Sequence, residues 1–310
     1  MNKKIAISVS IIAVLLLYII LANVKRSPDV PQLPKIDAKA DEILINREAG
    51  VIRLFKKDGN WVAGDKAYPA DVKQVEEIEK RFKEMSLTDL ISSKGYYAKY
   101  DLTPDKYVEV ILKKGETILR RFKIGKKSPT MRHTFVKIDD RPEIYLAEGT
   151  FDIVLNKNLD DFRDRDVLKI KRDAVSSFSV EYQGATFAFA RTKAATADGK
   201  KVEKQAAWGP WSCRGYETVK LNDGMVDGLL QSLDPLRAAS FLDMPKEALT
   251  QRVCSLQVRV DDKDIILTIY RDNGKYAAAA SEYPYVFEVD RYTAEKFFIT
   301  GLDRLKAAAK

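Results

Sequence analysis

Few residues of this chain could carry out catalysis. Its 310 residues include one histidine, His133, and two cysteines, Cys213 and Cys254. A single histidine excludes the zinc proteases that bind their metal through a His-Glu-x-x-His pair. A nucleophilic cysteine needs a base beside it, and His133 lies far from both cysteines in the chain. The sequence therefore predicts no catalytic residues and a protein that is not an enzyme.

A short basic segment looks like part of a nucleotide-binding motif. Residues 124–128 read Ile-Gly-Lys-Lys-Ser, similar to the end of a phosphate-binding loop. That loop needs another glycine five residues before its Gly-Lys pair, and Arg120 stands there. We interpret the segment as the basic end of a hairpin and predict no cofactor.

Four aspartates crowd into residues 159–166. A calcium loop needs acids at alternate positions, a central glycine and a terminal glutamate, and this segment lacks that spacing. Arg163 and Arg165 lie among the acids, so we expect ion pairs and no metal site. The four aspartates are Asp160, Asp161, Asp164 and Asp166.

The aromatic residues offer a candidate interaction surface, which we place at Trp211, Tyr216, Tyr96 and Tyr97. Exposed aromatic rings stack on sugars or anchor protein interfaces. They also pack the edges of small cores, and this alternative stays open for all four.

The two cysteines allow two interpretations. Cys213 and Cys254 could form one disulfide in an oxidising compartment, or they could be two buried free thiols. Cys254 shares strand parity with Leu256 and Val258, which indicates a buried face. Sequence alone does not give the distance between the two sulfur atoms.

The elements that position these residues occur twice. Apolar and polar residues alternate as in half-buried strands, and Val108, Val110 and Leu112 have counterparts in the later block at 256–260. Asp71 and Gln74 predict the start of a helix in the first copy, and Asn222 or Asp223 in the second. We therefore predict an α+β fold with two tandem repeats of an antiparallel-sheet-plus-helix unit, over residues 40–168 and 173–308. The second copy carries an insertion, residues 192–205, which we expect to be a mobile loop.

The N-terminal segment predicts a membrane anchor. Residues 5–24 carry no charge, and a helix of that length spans about 30 Å, the thickness of a hydrocarbon core. We expect residues 1–26 to be an uncleaved signal anchor that binds the lipid bilayer, with a cleaved signal peptide as the alternative. The prediction is a single-pass protein of the bacterial cytoplasmic membrane, with its N-terminus inside and its bulk outside the cytoplasm. Residues 27–39, with three prolines, are expected to form a stiff linker.

The net charge of +8 does not indicate a nucleic-acid partner. Half of this excess comes from Lys3, Lys4, Lys25 and Arg26, which flank the uncharged segment. The chain also lacks a basic tract with interleaved aromatic residues. We therefore predict no nucleic acid among its partners.

Several short segments together match the pattern of a known family. They are Trp61, Tyr68-Pro69, Tyr100-Asp101-Leu102-Thr103-Pro104, Ile124-Gly125, Phe135-Val136, Ile144-Tyr145-Leu146 and Phe162-Arg163-Asp164-Arg165. With these residues the chain resembles the family called domain of unknown function 4340. The family pattern has glycine where this chain has Asp101, so we expect that tight turn to differ. The resemblance implies single-span envelope proteins, some of them associated with ABC-type transport and gliding systems, and no established activity.

These observations predict a membrane-anchored, non-enzymatic envelope protein that binds a membrane or envelope protein partner. The resemblance narrows this expectation to an accessory of an ABC-type transport assembly. The alternative is a protein that binds envelope glycan or peptidoglycan through Trp211 and Tyr216.

Overall fold

The computed structural model describes residues 11–18, 30–193 and 208–307. The chain divides into two compact units, residues 1–164 and 165–310. The sequence pattern predicts the boundary between the two copies at residues 168–173, a few residues after the boundary in the structure. Residues 194–207, which hold most of the predicted mobile loop at 192–205, lie outside the described residues.

The described part of the first unit contains an antiparallel sheet of nine strands. Its strands are β1 (Glu42–Arg47), β2 (Gly50–Lys57), β3 (Asn60–Ala63), β4 (Tyr68–Pro69), β5 (Leu87–Ser92), β6 (Val108–Lys114), β7 (Thr117–Lys127), β8 (His133–Ile138) and β9 (Ile144–Glu148). Their order across the sheet is β4-β3-β2-β1-β6-β7-β8-β9-β5. Strands β6 and β7 form the long hairpin that the alternating pattern predicts.

The described residues of the second unit form a sheet of eight strands and a separate two-stranded pair. The strands of this unit are β10 (Asp166–Leu168), β11 (Val175–Tyr182), β12 (Ala185–Ala190), β13 (Ser212–Cys213), β14 (Leu236–Arg237), β15 (Ser240–Leu242), β16 (Arg252–Val260), β17 (Lys263–Asp272), β18 (Lys275–Ala280) and β19 (Tyr283–Val289). The order is β13-β12-β11-β16-β17-β18-β19-β15, and β10 pairs with β14. Each large sheet thus has a central hairpin, β6–β7 or β16–β17, beside the first long strand of its unit.

Apart from the helical residues 11–18, the helices of the described residues are α1 (Val72–Lys83), α2 (Asp152–Leu155), α3 (Asp223–Gln231) and α4 (Arg291–Glu295), with single 3₁₀ turns at Tyr97–Tyr100, Leu159–Phe162, Arg172–Ala174, Lys246–Ala248 and Asp303–Leu305. The predicted α+β class is therefore wrong, because most of the regular structure in both units is antiparallel sheet. Near the end of each unit, the helices α2 and α4 are only four and five residues long.

The predicted transmembrane helix over residues 5–24 is also wrong. Within 11–18, 30–193 and 208–307, no helix is both long enough and apolar enough to cross a membrane. This finding contradicts the predicted single-pass localisation as well. Residues 1–10 and 19–29 lie outside the described part of the chain.

Each unit has its own hydrophobic core on one face of its sheet. In the first, Val75, Ile78 and Phe82 of α1 are buried against the strands. Asp71 caps this helix as predicted, since its carboxylate accepts hydrogen bonds from the backbone N–H groups of Lys73 and Gln74. In the second unit, Val226, Leu229 and Leu230 of α3 are likewise buried in the core of that unit.

The predicted linker differs from the structure over its described part. Residues 30–40, which we call the strap, lie against the core of the first unit, and Val30 and Leu33 pack on it. The Ala40 N–H donates to Glu79 Oε1 at 2.8 Å, and Arg120 Nη2 donates to the Pro34 carbonyl at 2.6 Å. Proline prevents helix here, but it leaves carbonyl groups free to accept hydrogen bonds from the folded unit.

Candidate functional site

A second, smaller apolar cluster lies on the outer face of the first sheet. Strand β5 is at one edge, beside β9, while β6 is near the centre of the sheet. The connection between them, residues 93–107, must therefore pass over β9, β8 and β7. We call this segment the tyrosine loop. Leu102 of the loop packs with Phe135 and Ile144 of the sheet.

Gly125 allows the tyrosine loop to approach the sheet closely. A Cβ atom at this position would overlap the Tyr100 carbonyl oxygen and the Leu102 side chain. The glycine of the Ile-Gly-Lys-Lys-Ser segment therefore has a packing role on β7. The close packing explains why glycine stands at position 125, and no nucleotide is needed to explain it.

Tyr96 lies at the tip of the loop and is 77 % exposed. Its φ of +72° is in the left-handed region, which costs a bulky residue on the order of 1 kcal/mol or more. The neighbouring Tyr97 is only half-buried, and its hydroxyl donates to the Pro142 carbonyl at 3.1 Å. The sequence grouped the two tyrosines as one surface, and the structure leaves Tyr96 as the freely presented ring.

Lysine side chains lie beneath the loop. Lys123 and Lys137 are directly opposite each other on β7 and β8, an unfavourable arrangement for like charges. The Lys137 ammonium lies 3.9 Å from the centre of the Tyr97 ring, and Lys123 donates to Asp140 at 2.8 Å. That hydrogen bond raises the pKa of Lys123, although burial opposes it. The sequence did not single out Lys137, because nothing local shows that its strand passes under an aromatic loop.

The last residues of the first unit, 162–164, contact residues 68–71 at a place that we call the clasp. The guanidinium of Arg163 lies 3.5 Å from the centre of the Tyr68 ring. The Asp164 N–H donates to the Pro69 carbonyl at 2.8 Å, and the Asp71 N–H donates to the Phe162 carbonyl at 2.8 Å. The residues that carry the family resemblance thus meet at the clasp and under the tyrosine loop.

A family model described as "Domain of unknown function (DUF4340)" matches residues 61–251. This is well over half of the chain. The chain belongs to the DUF4340 family. No curated protein and no solved structure matches it.

In this DUF4340 protein Asp101, which stands where the family pattern has glycine, has a φ of +55°, the left-handed conformation that glycine adopts most easily. Its carboxylate forms an ion pair with Lys106 at 3.4 Å. The expected difference from the turn of other family members stays a prediction.

Of the aromatic residues predicted in the second unit, Trp211 is 5 % exposed and belongs to the core. Its ring packs edge-on against Phe178 with centroids 5.3 Å apart. Tyr216 is 45 % exposed and lies 5.9 Å from Phe187. Core packing, the alternative, therefore describes Trp211, and the predicted pairing of Trp211 with Tyr216 as one exposed surface does not occur.

Arg191 connects Trp211 to a tryptophan that the sequence did not propose as a site. Its guanidinium carbon lies 4.5 Å from the Trp211 ring centre and 4.7 Å from that of Trp208. Arg191 also donates to the Val175 and Arg172 carbonyls at 2.9 and 2.7 Å. Trp208 is half-buried and lines a groove of 780 Å³.

The two cysteines are free and buried. Cys213 is on β13 and Cys254 is on β16, with β12 and β11 between them. Strands lie 4.7–4.9 Å apart, so the two residues are separated by about 14 Å across the sheet, whereas bonded cysteines need Cα atoms within about 7 Å. Of the two interpretations, the disulfide is therefore not formed, and the cysteines are two buried free thiols. Burial raises the pKa of Cys254 to about 12, so its thiol is unreactive near neutral pH.

The aspartates at residues 159–166 form ion pairs and cap a 3₁₀ turn, and of the two arginines in the segment Arg163 forms one of these pairs. Asp160 pairs with Arg163 at 3.2 Å, and Asp166 with Arg237 at 3.2 Å. Asp161 completes a capping box with Asn158. Over residues 11–18, 30–193 and 208–307, no group of three or more His, Cys, Asp or Glu residues could hold a metal ion.

Proposed function

We propose that this DUF4340 protein is a non-enzymatic binding protein whose tyrosine loop docks an acidic segment of a protein partner. The observation that carries this proposal is Tyr96, a large aromatic ring that is 77 % exposed and held in left-handed backbone. The strained backbone at Tyr96 is not offset by core packing, because its ring lies on the surface. Tyrosine is among the residues most enriched in binding hot spots.

The loop is presented on a rigid support, which favours binding. Leu102 is buried beneath it against the sheet, and the close approach at Gly125 leaves no room for the loop to sink further. A preformed loop loses little conformational entropy when a partner binds. The supporting residues are also among those that carry the family resemblance.

The charges around the loop favour an acidic partner. Lys94 and Lys99 are exposed on the loop, and Lys137 lies under it. Among the described residues, no carboxylate forms an ion pair with any of these three lysines. By contrast, Asp101 and Asp140 are paired with Lys106 and Lys123, which leaves Asp105 as an exposed carboxylate of the loop beside the three lysines. Such a surface attracts acidic segments and disfavours basic ones.

A photo-crosslinking amino acid at position 96 tests the proposal in living cells. We expect an adduct with a protein that contains an acidic segment, and we expect it to disappear when Lys94 and Lys99 are both changed to glutamate. A crosslinker at position 292 is the matched control, since Tyr292 is 74 % exposed in the second unit. Charge reversal at Lys57 and Lys114, exposed lysines of the first unit away from the loop, should leave the adduct intact.

The purified partner segment then allows a quantitative prediction. Tyr96→Gly removes the ring while suiting the left-handed backbone, so we expect the fold to be retained and binding to weaken about 30-fold, the effect of a hot spot of about 2 kcal/mol. Tyr292→Ala should leave affinity unchanged, as measured by calorimetry. Equal adducts at 96 and 292, an adduct indifferent to the lysine reversals, or full affinity for Tyr96→Gly would each overturn the proposal.

A further inference from the structure

We infer that the groove beside Trp208 in the second unit binds an uncharged oligosaccharide. This site is independent of the tyrosine loop and of its proposed partner. The groove lies between the start of the unit, the Trp208 ring and the hairpin turn at Asp261 and Asp262. Its volume of 780 Å³ is within the range of small-ligand sites, about 300–1,000 Å³.

Trp208 supplies a fixed aromatic platform. Its indole N–H donates to the Asp173 carbonyl at 2.7 Å, and its backbone pairs with Lys193 in an isolated bridge. The guanidinium of Arg191 lies against its ring at 4.7 Å. A tryptophan held at its N–H and beside its ring is pre-oriented, so binding costs little side-chain entropy.

Arg191 is in turn held from several sides, with a side chain only 9 % exposed. Its Nη1 lies 3.5 Å from Asp227, and the same carboxylate accepts the Trp211 indole N–H at 2.9 Å. Trp211 therefore supports the platform from the core. Rigid support of this kind is what a stacking site requires.

The polar lining of the groove favours a ligand that both donates and accepts hydrogen bonds without carrying charge. The carboxylates of Asp234, Asp261 and Asp262 would repel an anion, and the cations of Lys171, Arg172 and Lys193 would repel a cation. Arg172 and Asp234 already lie 3.5 Å apart and partly neutralise each other. Sugar hydroxyls can bond to both kinds of group, and the apolar face of a sugar ring stacks on tryptophan.

Tryptophan fluorescence of the full chain tests this inference directly. The chain has three tryptophans; Trp61 and Trp211 are 7 % and 5 % exposed, whereas Trp208 is half-buried. We would titrate the protein with maltotetraose, cellotetraose and tetra-N-acetylchitotetraose, all uncharged, at millimolar concentrations while quenching with acrylamide. At least one tetrasaccharide should protect the accessible tryptophan, and calorimetry should give a matching affinity.

Two variants and one control locate the site. Trp208→Ala should weaken binding about tenfold or more, which corresponds to about 1.4 kcal/mol. Asp262→Asn, at an exposed turn position where folding is not at risk, should weaken it several-fold. Tyr216→Ala should leave affinity unchanged, since Tyr216 does not line the groove. Binding of none of the three sugars, or full binding by Asp262→Asn and by folded Trp208→Ala, would overturn the inference.

Discussion

Glu42 shows how a single side chain secures the central strands of the first sheet. It lies opposite Lys113 on β6 and forms ion pairs with Lys113 at 2.7 Å and Arg53 at 2.6 Å. Burial raises the pKa of Glu42, but the hydrogen bonds from Lys113 and Arg53 outweigh this effect and leave the pKa below its usual value. The folded protein therefore stabilises the ionised form of the Glu42 carboxyl group relative to the unfolded chain.

This shift gives the stability of the first unit a dependence on pH. Because the folded pKa is lowered, the contribution is complete above the unfolded value of about 4.3 and is lost as the pH falls through the folded pKa. We expect Glu42→Gln to reduce the free energy of unfolding by about 1 kcal/mol at pH 7. The difference should shrink towards zero in acid.

Urea unfolding of both proteins at several pH values checks this prediction. Glu48→Gln, at an exposed position in the turn after β1, is the control and should change stability little at any pH. A deficit of Glu42→Gln that stays constant or grows in acid would contradict the assigned ion pairs.

At the scale of elements, the strap is held by a buried guanidinium. Arg120 is 7 % exposed, and its Nη2 donates to the carbonyls of Pro34 and of Lys83 at the end of α1, at 2.6 and 3.4 Å. One side chain on β7 therefore joins the strap, the helix and the sheet. Hydrogen bonds from a charged group are worth about 1.5–3 kcal/mol each.

We expect Arg120→Ala to release the strap and to destabilise the first unit by about 2–3 kcal/mol. Trypsin should then cut at Lys35 and Lys39 much faster than in the unchanged protein, as followed by mass spectrometry under native conditions. Arg121→Ala is the matched control, because Arg121 points to the outer face and lies 3.7 Å from exposed Asp140. Equal cleavage rates in the two variants would show that Arg120 does not hold the strap.

At the scale of the whole molecule, each unit buries its own set of apolar side chains. Phe122 is fully buried in the core of the first unit, and Phe287 in that of the second. Removing a buried phenylalanine costs about 3–5 kcal/mol, through lost burial and the cavity that remains.

We therefore expect Phe287→Ala to lower protection of backbone amides against hydrogen exchange throughout residues 208–307 and to leave β6 and β7 protected. Phe122→Ala should have the reverse effect. Mass spectrometry of exchanged peptides would measure both in the full chain. Loss of protection in both units from either substitution would show that the two cores unfold as one.

Much of the local structure could be predicted from the sequence. The caps at Asp71 and Asn222 are confirmed, because a cap depends on a side chain and a backbone N–H two or three residues away. The alternating strands at 108–112 and 256–260 are confirmed within β6 and β16, since alternation with period two marks a strand with one buried face. The predicted transmembrane helix was wrong. The contacts of residues 30–40 with the first unit were not predicted, because the composition of a proline-bearing segment does not show what packs against it.

The sequence by itself therefore determined the alternating strands and the helix caps, because both depend on residues that are close together in the chain. It also determined the membership of the DUF4340 family, through the match over residues 61–251. Only the tertiary structure decided which aromatic rings are buried: Trp211 packs on Phe178, while Tyr96 is presented on a loop that must cross the sheet. It also separated Cys213 from Cys254 and placed Arg191 between Trp208 and Trp211. The physical reason is that exposure and contact depend on strand order, and strand order joins residues that are far apart in the chain.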